Sequence, residues 1–141
     1  MDLASEKRSP SVNREYYDKY RAINLITLLA SRAFDKIEQA EAIVAIKNGG
    51  VYAGRKFANL FDLPLITADP NAMPINDLPE NFVVIEDVVD TGHVIQKIKN
   101  QLDDKYFNYR ILTLIEKPWN PHSVISAEKT DAWCEFFWEV K

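Results

Sequence analysis

Short apolar runs rich in β-branched residues alternate along this chain with stretches whose apolar positions return every three or four residues. The run Phe82-Val83-Val84-Ile85 predicts a strand buried on both faces, ending where Glu86 and Asp87 follow. After it, Asp90-Thr91-Gly92 turns the chain into a helix carried by Val94, Ile95, Ile98 and Leu102. Upstream, the stripe Ile23, Ile26, Ala30, Ala33 and Ile37 predicts a helix beginning at Arg14 and closed by Glu38 to Glu41. Ala42 to Ile46 predicts a strand, Val51 to Phe61 a helix, Leu65 to Ala68 a third strand, and Tyr109 to Ile115 a further one. Ser123 to Ala127 is a candidate last core strand.

Between these elements the chain is punctuated. Lys47-Asn48-Gly49-Gly50 breaks the strand before it, and Asp62-Leu63-Pro64 ends the helix that follows. Asp69 to Asn81 carries Pro70, Pro74 and Pro79 and reads as a loop, and Asp103 to Asn108 as a turn. Glu116-Lys117-Pro118-Trp119-Asn120-Pro121 is irregular because each proline disfavours helix in the residue before it. The aromatic tail from Asp131 to Lys141 is expected to fold back as a lid or an edge. Strands alternating with helices imply right-handed crossovers and a mainly parallel, doubly wound sheet flanked by helices. The expectation is one α/β domain over residues 14–141, preceded by a loosely held polar segment, 1–13. In such sheets ligands bind beyond the carboxyl ends of the strands, where every loop singled out here lies.

Composition narrows the partners. With 47% hydrophobic residues and seven phenylalanines, 141 residues suffice for one core. Seventeen basic against 21 acidic residues, with no basic block, argue against a nucleic-acid footprint. No apolar run reaches membrane-spanning length, and the first residues have no apolar signal core. Cys134 is the single cysteine, which fits a reducing cytoplasm, and with only two histidines a structural zinc site is not expected.

The central stretch carries the chemistry. Strand, acidic pair, small-residue turn and helix make a device for a phosphorylated sugar. Backbone N–H groups at the helix start suit the phosphate, and the carboxylates suit ribose hydroxyls or a divalent cation. The plain alternative is an Asp-Thr helix cap behind a buried strand.

Glu86-Asp87, two apolar residues, then Asp90-Thr91-Gly92 closely resembles the signature with which type I phosphoribosyltransferases bind 5-phosphoribosyl pyrophosphate (PRPP). The resemblance implies that Glu86 and Asp87 hold the ribose 2- and 3-hydroxyls, with Asp87 also near Mg²⁺. It implies that Thr91, Gly92 and His93 cradle the 5′-phosphate and that Asp90 faces N7 of a purine. Where the family usually has a second hydroxyl residue, this chain has Val94. Asn48-Gly49-Gly50 resembles the pyrophosphate loop, with Asn48 where Lys or Arg is usual.

Lys117-Pro118 and Asp131-Ala132-Trp133-Cys134-Glu135 look like the base-binding segments of the bacterial xanthine-guanine branch. Carried over, Lys117 reads the purine O6, Trp133 stacks on the base, and backbone groups from Trp133 through Cys134 to Glu135 read its 2-position. Without the resemblance, Trp133 and Trp138 read as core or interface residues and Lys117 as a solvated charge. The implied activity is Mg²⁺-dependent phosphoribosyl transfer from PRPP to a 6-oxopurine. The short loop 69–81, shorter than the family's closing loop, together with Asn48 and Val94, keeps a nucleotide-binding regulatory protein as the alternative. A flavodoxin-like signalling domain with Asp87 as phosphoacceptor is a third reading. The apolar tail suggests a homodimer or homotetramer.

Overall fold

The computed structural model describes residues 13–106 and 108–139. The polar segment expected to be loosely held lies outside them apart from Asn13, as do Phe107 of the expected turn and the last two tail residues. Strand β1, Arg14–Tyr17, leads into helix α1, Lys19–Arg32, and a short α2, Phe34–Gln39. Then come β2 (Ile43–Ile46), α3 (Val51–Phe61), β3 (Leu65–Ala68), β4 (Phe82–Val89) and α4 (His93–Leu102). The chain continues through β5 (Tyr109–Glu116), β6 (Ile125–Lys129) and β7 (Trp133–Phe136) to a 3₁₀ turn, Phe137–Glu139.

Five strands form one sheet in the order β3-β2-β4-β5-β6, each pair parallel. From β2 the chain steps one way to β3, then crosses to β4 on the other side. The switch point therefore lies between β2 and β4. Because right-handed crossovers in opposite directions must use opposite faces, α3 and α4 cover opposite sides of the sheet. Val83, Ile85, Leu112 and Leu114 pack with α1, α2 and α3, whereas Phe82, Val84 and Ile111 pack with Ile95, Ile98 and Leu102 of α4. Burial of β4 on both faces is thus as its unbroken apolar run predicts.

Four expectations need correction. The first helix does not begin at Arg14, because residues 14–17 are a strand paired in parallel with β7. Helix α1 starts instead behind Asp18, whose carboxylate accepts from the Arg21 N–H at 2.8 Å. Nor is that helix continuous, since Ala33, at φ −105° and ψ 14°, divides it. Strand β4 does not stop before the acids but runs through Glu86 and Asp87 to Val89. Partner β5 continues alongside them, with Glu86 opposite Thr113 and Val89 opposite Glu116, although β2 pairing ends at Ile85. The last strand of the sheet covers Ile125–Lys129 rather than residues 123–127. The tail forms an edge: β7 and β1 make a separate two-stranded sheet.

Loop 69–81 is strapped down. Gln101 accepts from the Met73 N–H at 2.8 Å and donates to the Pro70 carbonyl at 2.7 Å, and the Tyr106 hydroxyl donates to the Ile75 carbonyl at 2.6 Å. These bonds hold it against the carboxyl end of α4, away from the turn that begins that helix.

Candidate functional site

Once β2 ends, one edge of β4 is uncovered, and Glu86 and Asp87 sit on that stretch. The chain leaving β2 folds against it. A Cβ at Gly49 would overlap the Asp87 carboxylate, and one at Gly50 would overlap the Ile85 carbonyl. Only glycine lets the backbone approach β4 so closely. Asn48, just before, is exposed and takes a left-handed φ of 75°, while Lys47 and Arg55 are exposed to solvent.

Both acids are buried, Glu86 at 8% exposure and Asp87 at 9%. The Asp87 N–H donates to Glu86 Oε1 at 3.0 Å, and the Val88 N–H to Asp87 Oδ1 at 2.7 Å. Burial, and secondarily the Asp87 charge, pushes the Glu86 carboxyl up to about 9. Burial also raises Asp87 to about 6, with the Glu139 charge of the folded-back tail adding to it. Both carboxyls therefore bind protons more tightly folded than unfolded, so stability falls as pH rises through this range. Denaturant titrations between pH 5 and 9 are expected to show a loss of more than about 1.4 kcal/mol, the equivalent of one pKa unit. In Glu86→Gln the slope should flatten, and an unchanged slope would refute this account.

The turn after β4 has the predicted form. Gly92, at φ 92°, is the residue before α4 and has no side chain with which to cap it. Thr91 Oγ1 accepts from the His93 N–H at 3.4 Å. Residues 86 and 88–95 line a hollow of about 100 Å³ at the start of α4, where the first-turn N–H groups have no partner within the helix. Asp90, Thr91, His93 and Val94 are exposed around it. Asp90 is not the helix cap.

Lys117 is brought beside this turn. Its backbone N–H donates to the Val89 carbonyl at 2.9 Å. Its ammonium is buried at 6% exposure and donates to the Ala132 carbonyl, so the solvated-charge reading fails. Trp133, the next residue, opens β7 and is 58% exposed. Along β7 exposure alternates: Trp133 and Glu135 lie outward, and Cys134 and Phe136 inward. The Cys134 thiol, raised by burial, donates to the Ala132 carbonyl at 3.5 Å. Among the described residues the β7 edge away from β1 carries no strand. Trp138 is not at the site, being stacked between Phe136 and Tyr52 with ring centres 4.5 and 4.9 Å away.

Sequence reasoning missed the loop's own contribution. Trp119, two residues past Lys117, donates its indole N–H to Asp90 Oδ1 at 2.6 Å. Asn120 anchors the loop by donating to Glu116 Oε2 at 3.0 Å, and Ser126 Oγ holds the other oxygen at 3.0 Å. The His122 ring lies where a Gly92 Cβ would stand, with Asn120 Oδ1 3.2 Å from that position. An exposed aromatic flanked by prolines in a loop after a strand was the available signal.

No group of three or more His, Cys, Asp or Glu side chains that could cage a metal occurs among the described residues. The buried Glu86–Asp87 pair still suits Mg²⁺, which is commonly held by one or two carboxylates together with substrate phosphates.

No family model matches the sequence, and no curated protein matches it significantly. Solved structures do resemble it. Helicobacter pylori xanthine-guanine-hypoxanthine phosphoribosyltransferase aligns with a TM-score of 0.79 at 19% identity, covering 91% of this chain and 95% of that one. A purine phosphoribosyltransferase from Pyrococcus horikoshii aligns with a TM-score of 0.74 at 21% identity, over 92% and 96% of the two chains. The fold is that of the type I phosphoribosyltransferases. A hypothetical protein from Neisseria gonorrhoeae with bound ppGpp also shares it, with a TM-score of 0.76 at 16% identity over 91% of this chain and 90% of that one. On the phosphoribosyltransferase fold, β2 and β4 flank the switch point, and their loops meet there. No helix among the described residues is long and apolar enough to cross a membrane.

Proposed function

We propose that the protein transfers a 5-phosphoribosyl group from PRPP to a 6-oxopurine (guanine, xanthine or hypoxanthine). The products would be the nucleoside monophosphate and pyrophosphate. The observation that carries this reading is the place of Lys117, backbone-bonded to the end of β4 with its ammonium one residue from Trp133. In this reading Lys117 supplies a cation for a carbonyl oxygen and Trp133 an aromatic plane, next to a turn suited to a sugar phosphate.

In this reading the amides of Thr91, Gly92 and His93 hold the 5′-phosphate, while Asn48, Gly49 and Gly50 offer backbone to the pyrophosphate. Glu86 and Asp87 take the ribose hydroxyls. Mg²⁺ at Asp87, when bound with PRPP, would neutralise charge on the leaving group. As the bond from the ribose C1 to pyrophosphate breaks, a base nitrogen bonds to C1 and Asp90 takes the proton from N7. Positioning and fixed charge supply most of the acceleration in such chemistry. The free β7 edge offers the Cys134 backbone groups to the 2-position of the base, whereas those of Glu135 face β1, on the side where the Trp133 N–H donates to the Asn13 carbonyl at 2.9 Å.

A screen of purines and pyrimidines with PRPP and Mg²⁺, read as pyrophosphate release, tests activity and base choice together. No release with any 6-oxopurine would refute the proposal. Trp133→Ala is expected to raise the KM for the base about tenfold or more, with kcat little changed, since one base–aromatic stack is worth ~1–3 kcal/mol. An unaltered KM would remove Trp133 from the base subsite.

A second reading has its own support. Asn48 in place of a cation, Val94 in place of a hydroxyl, and a strapped 69–81 loop suit a nucleotide-binding regulator without turnover. Calorimetry separates the two: GMP or PRPP binding without pyrophosphate release would favour the regulator. The reading places the protein in the cytoplasm as a homodimer or homotetramer, and a monomer-sized mass by light scattering would exclude that assembly.

A further inference from the structure

Resting on the purine reading above, we infer that Trp119 is a positioning residue, whose indole N–H sets the direction of the Asp90 carboxylate toward the base. Asp90 is exposed and does not cap α4, so the turn alone would leave its side chain free to swing. The indole N–H meets Oδ1 at 2.6 Å and fixes it. One carboxylate oxygen is thereby engaged, and the other is left for the proton on N7. In the transfer that proton passes from N7 to the second oxygen, while its electron pair stays on the ring.

Both ends of this bond are referred to one backbone contact. Asp90 follows Val89, whose carbonyl holds the Lys117 N–H at 2.9 Å, and Trp119 comes two residues after Lys117. The loop is closed by its own bonds. The Asn120 N–H donates to the Lys117 carbonyl at 3.1 Å, and the Asn120 side-chain amide to Glu116 Oε2 at 3.0 Å. Ser126 holds the other oxygen of the buried Glu116 at 3.0 Å. Trp119 has a further interaction beyond the Asp90 bond, and at 38% exposure most of its surface is covered. The ring is therefore held in place.

The consequence follows from the base. O6 and N7 of a 6-oxopurine lie side by side on one edge of the ring. Lys117, read as the donor to O6, and Asp90, read as the acceptor from N7, must then keep a set spacing. The Trp119 bond joins the loop of the first to the side chain of the second. It draws some charge from the carboxylate, but a misplacement of about 1 Å costs up to about a hundredfold in rate, so direction outweighs charge.

Trp119→Phe keeps a ring in the loop and deletes the donor. On the full chain its kcat should fall about tenfold, with the KM for PRPP unchanged. In an Asp90→Asn background no proton acceptor is left to direct, so the double variant should turn over as Asp90→Asn alone does. An unchanged kcat in Trp119→Phe would overturn the inference and leave the purine reading standing. So would a tenfold loss that persists beside Asp90→Asn, since it would show damage to the loop instead. Should Trp119→Phe not fold, the indole N–H signals in proton–nitrogen spectra of wild type and Asp90→Asn decide. One of the three tryptophan signals should move upfield as a neutral acceptor replaces the carboxylate, and three unmoved signals would overturn the inference. No pyrophosphate release by the wild type with any 6-oxopurine would sink the purine reading itself, and the positioning role with it.

Discussion

Replacing Asp90 with Asn is expected to lower kcat for purine transfer by about a hundredfold or more, the usual weight of a positioned proton acceptor. The variant keeps the size and shape of the side chain, and its amide oxygen can still accept from the Trp119 indole, as Asp90 Oδ1 does at 2.6 Å. Folding should therefore be intact. What is lost is a negative charge facing the developing positive charge of the base and sugar. Steady-state kinetics with PRPP and the base found in the substrate screen provide the measurement. Normal turnover would show that Asp90 is only a partner for Trp119.

Gly50→Ala is expected to destabilise the fold by roughly 3 kcal/mol, at the upper end of the cost of forcing atoms into a packed interior. The backbone angle is not the cause, since Gly50 sits at φ −86° and ψ −5°, which alanine adopts readily. The obstruction is main chain: the added carbon would meet the Ile85 carbonyl and, at 3.1 Å, the Ile46 nitrogen. Neither can swing aside as a side chain could. Gly49→Ala meets the Asp87 carboxylate instead, so it should injure ligand binding more than stability. Denaturant midpoints for the two variants measure the contrast, and equal stability would disprove the close-approach argument.

Local pattern made much of the sheet legible. Ile43–Ile46, Leu65–Ala68 and Tyr109–Glu116 lie where β-branched runs predict them: the first and most of the last are buried and need unbroken apolar sequence, while Leu65–Ala68 is a partly buried edge strand. Helix α3 also matches, ended by Asp62 in the left-handed conformation. The acids of β4 escaped that logic. Charges normally mark a strand's end, but Glu86 and Asp87 stay in the ladder because β5 continues beside them. Strand β1 was equally hidden. Arg14 to Tyr17 has no strand pattern of its own and becomes one by pairing with residues more than a hundred positions away.

The sequence by itself determined the succession of elements from β2 to β5, the single α/β domain and the ordered turn from Glu86 to Gly92. Those depend on residue spacing and on glycine at fixed positions, which act over a few neighbours. Only the tertiary structure decided that Lys117 is buried against Ala132, that the tail pairs with β1, and that Trp119 reaches Asp90. Each of these is a contact between segments distant along the chain. Such contacts are set by where strand ends meet, and local spacing carries no record of that.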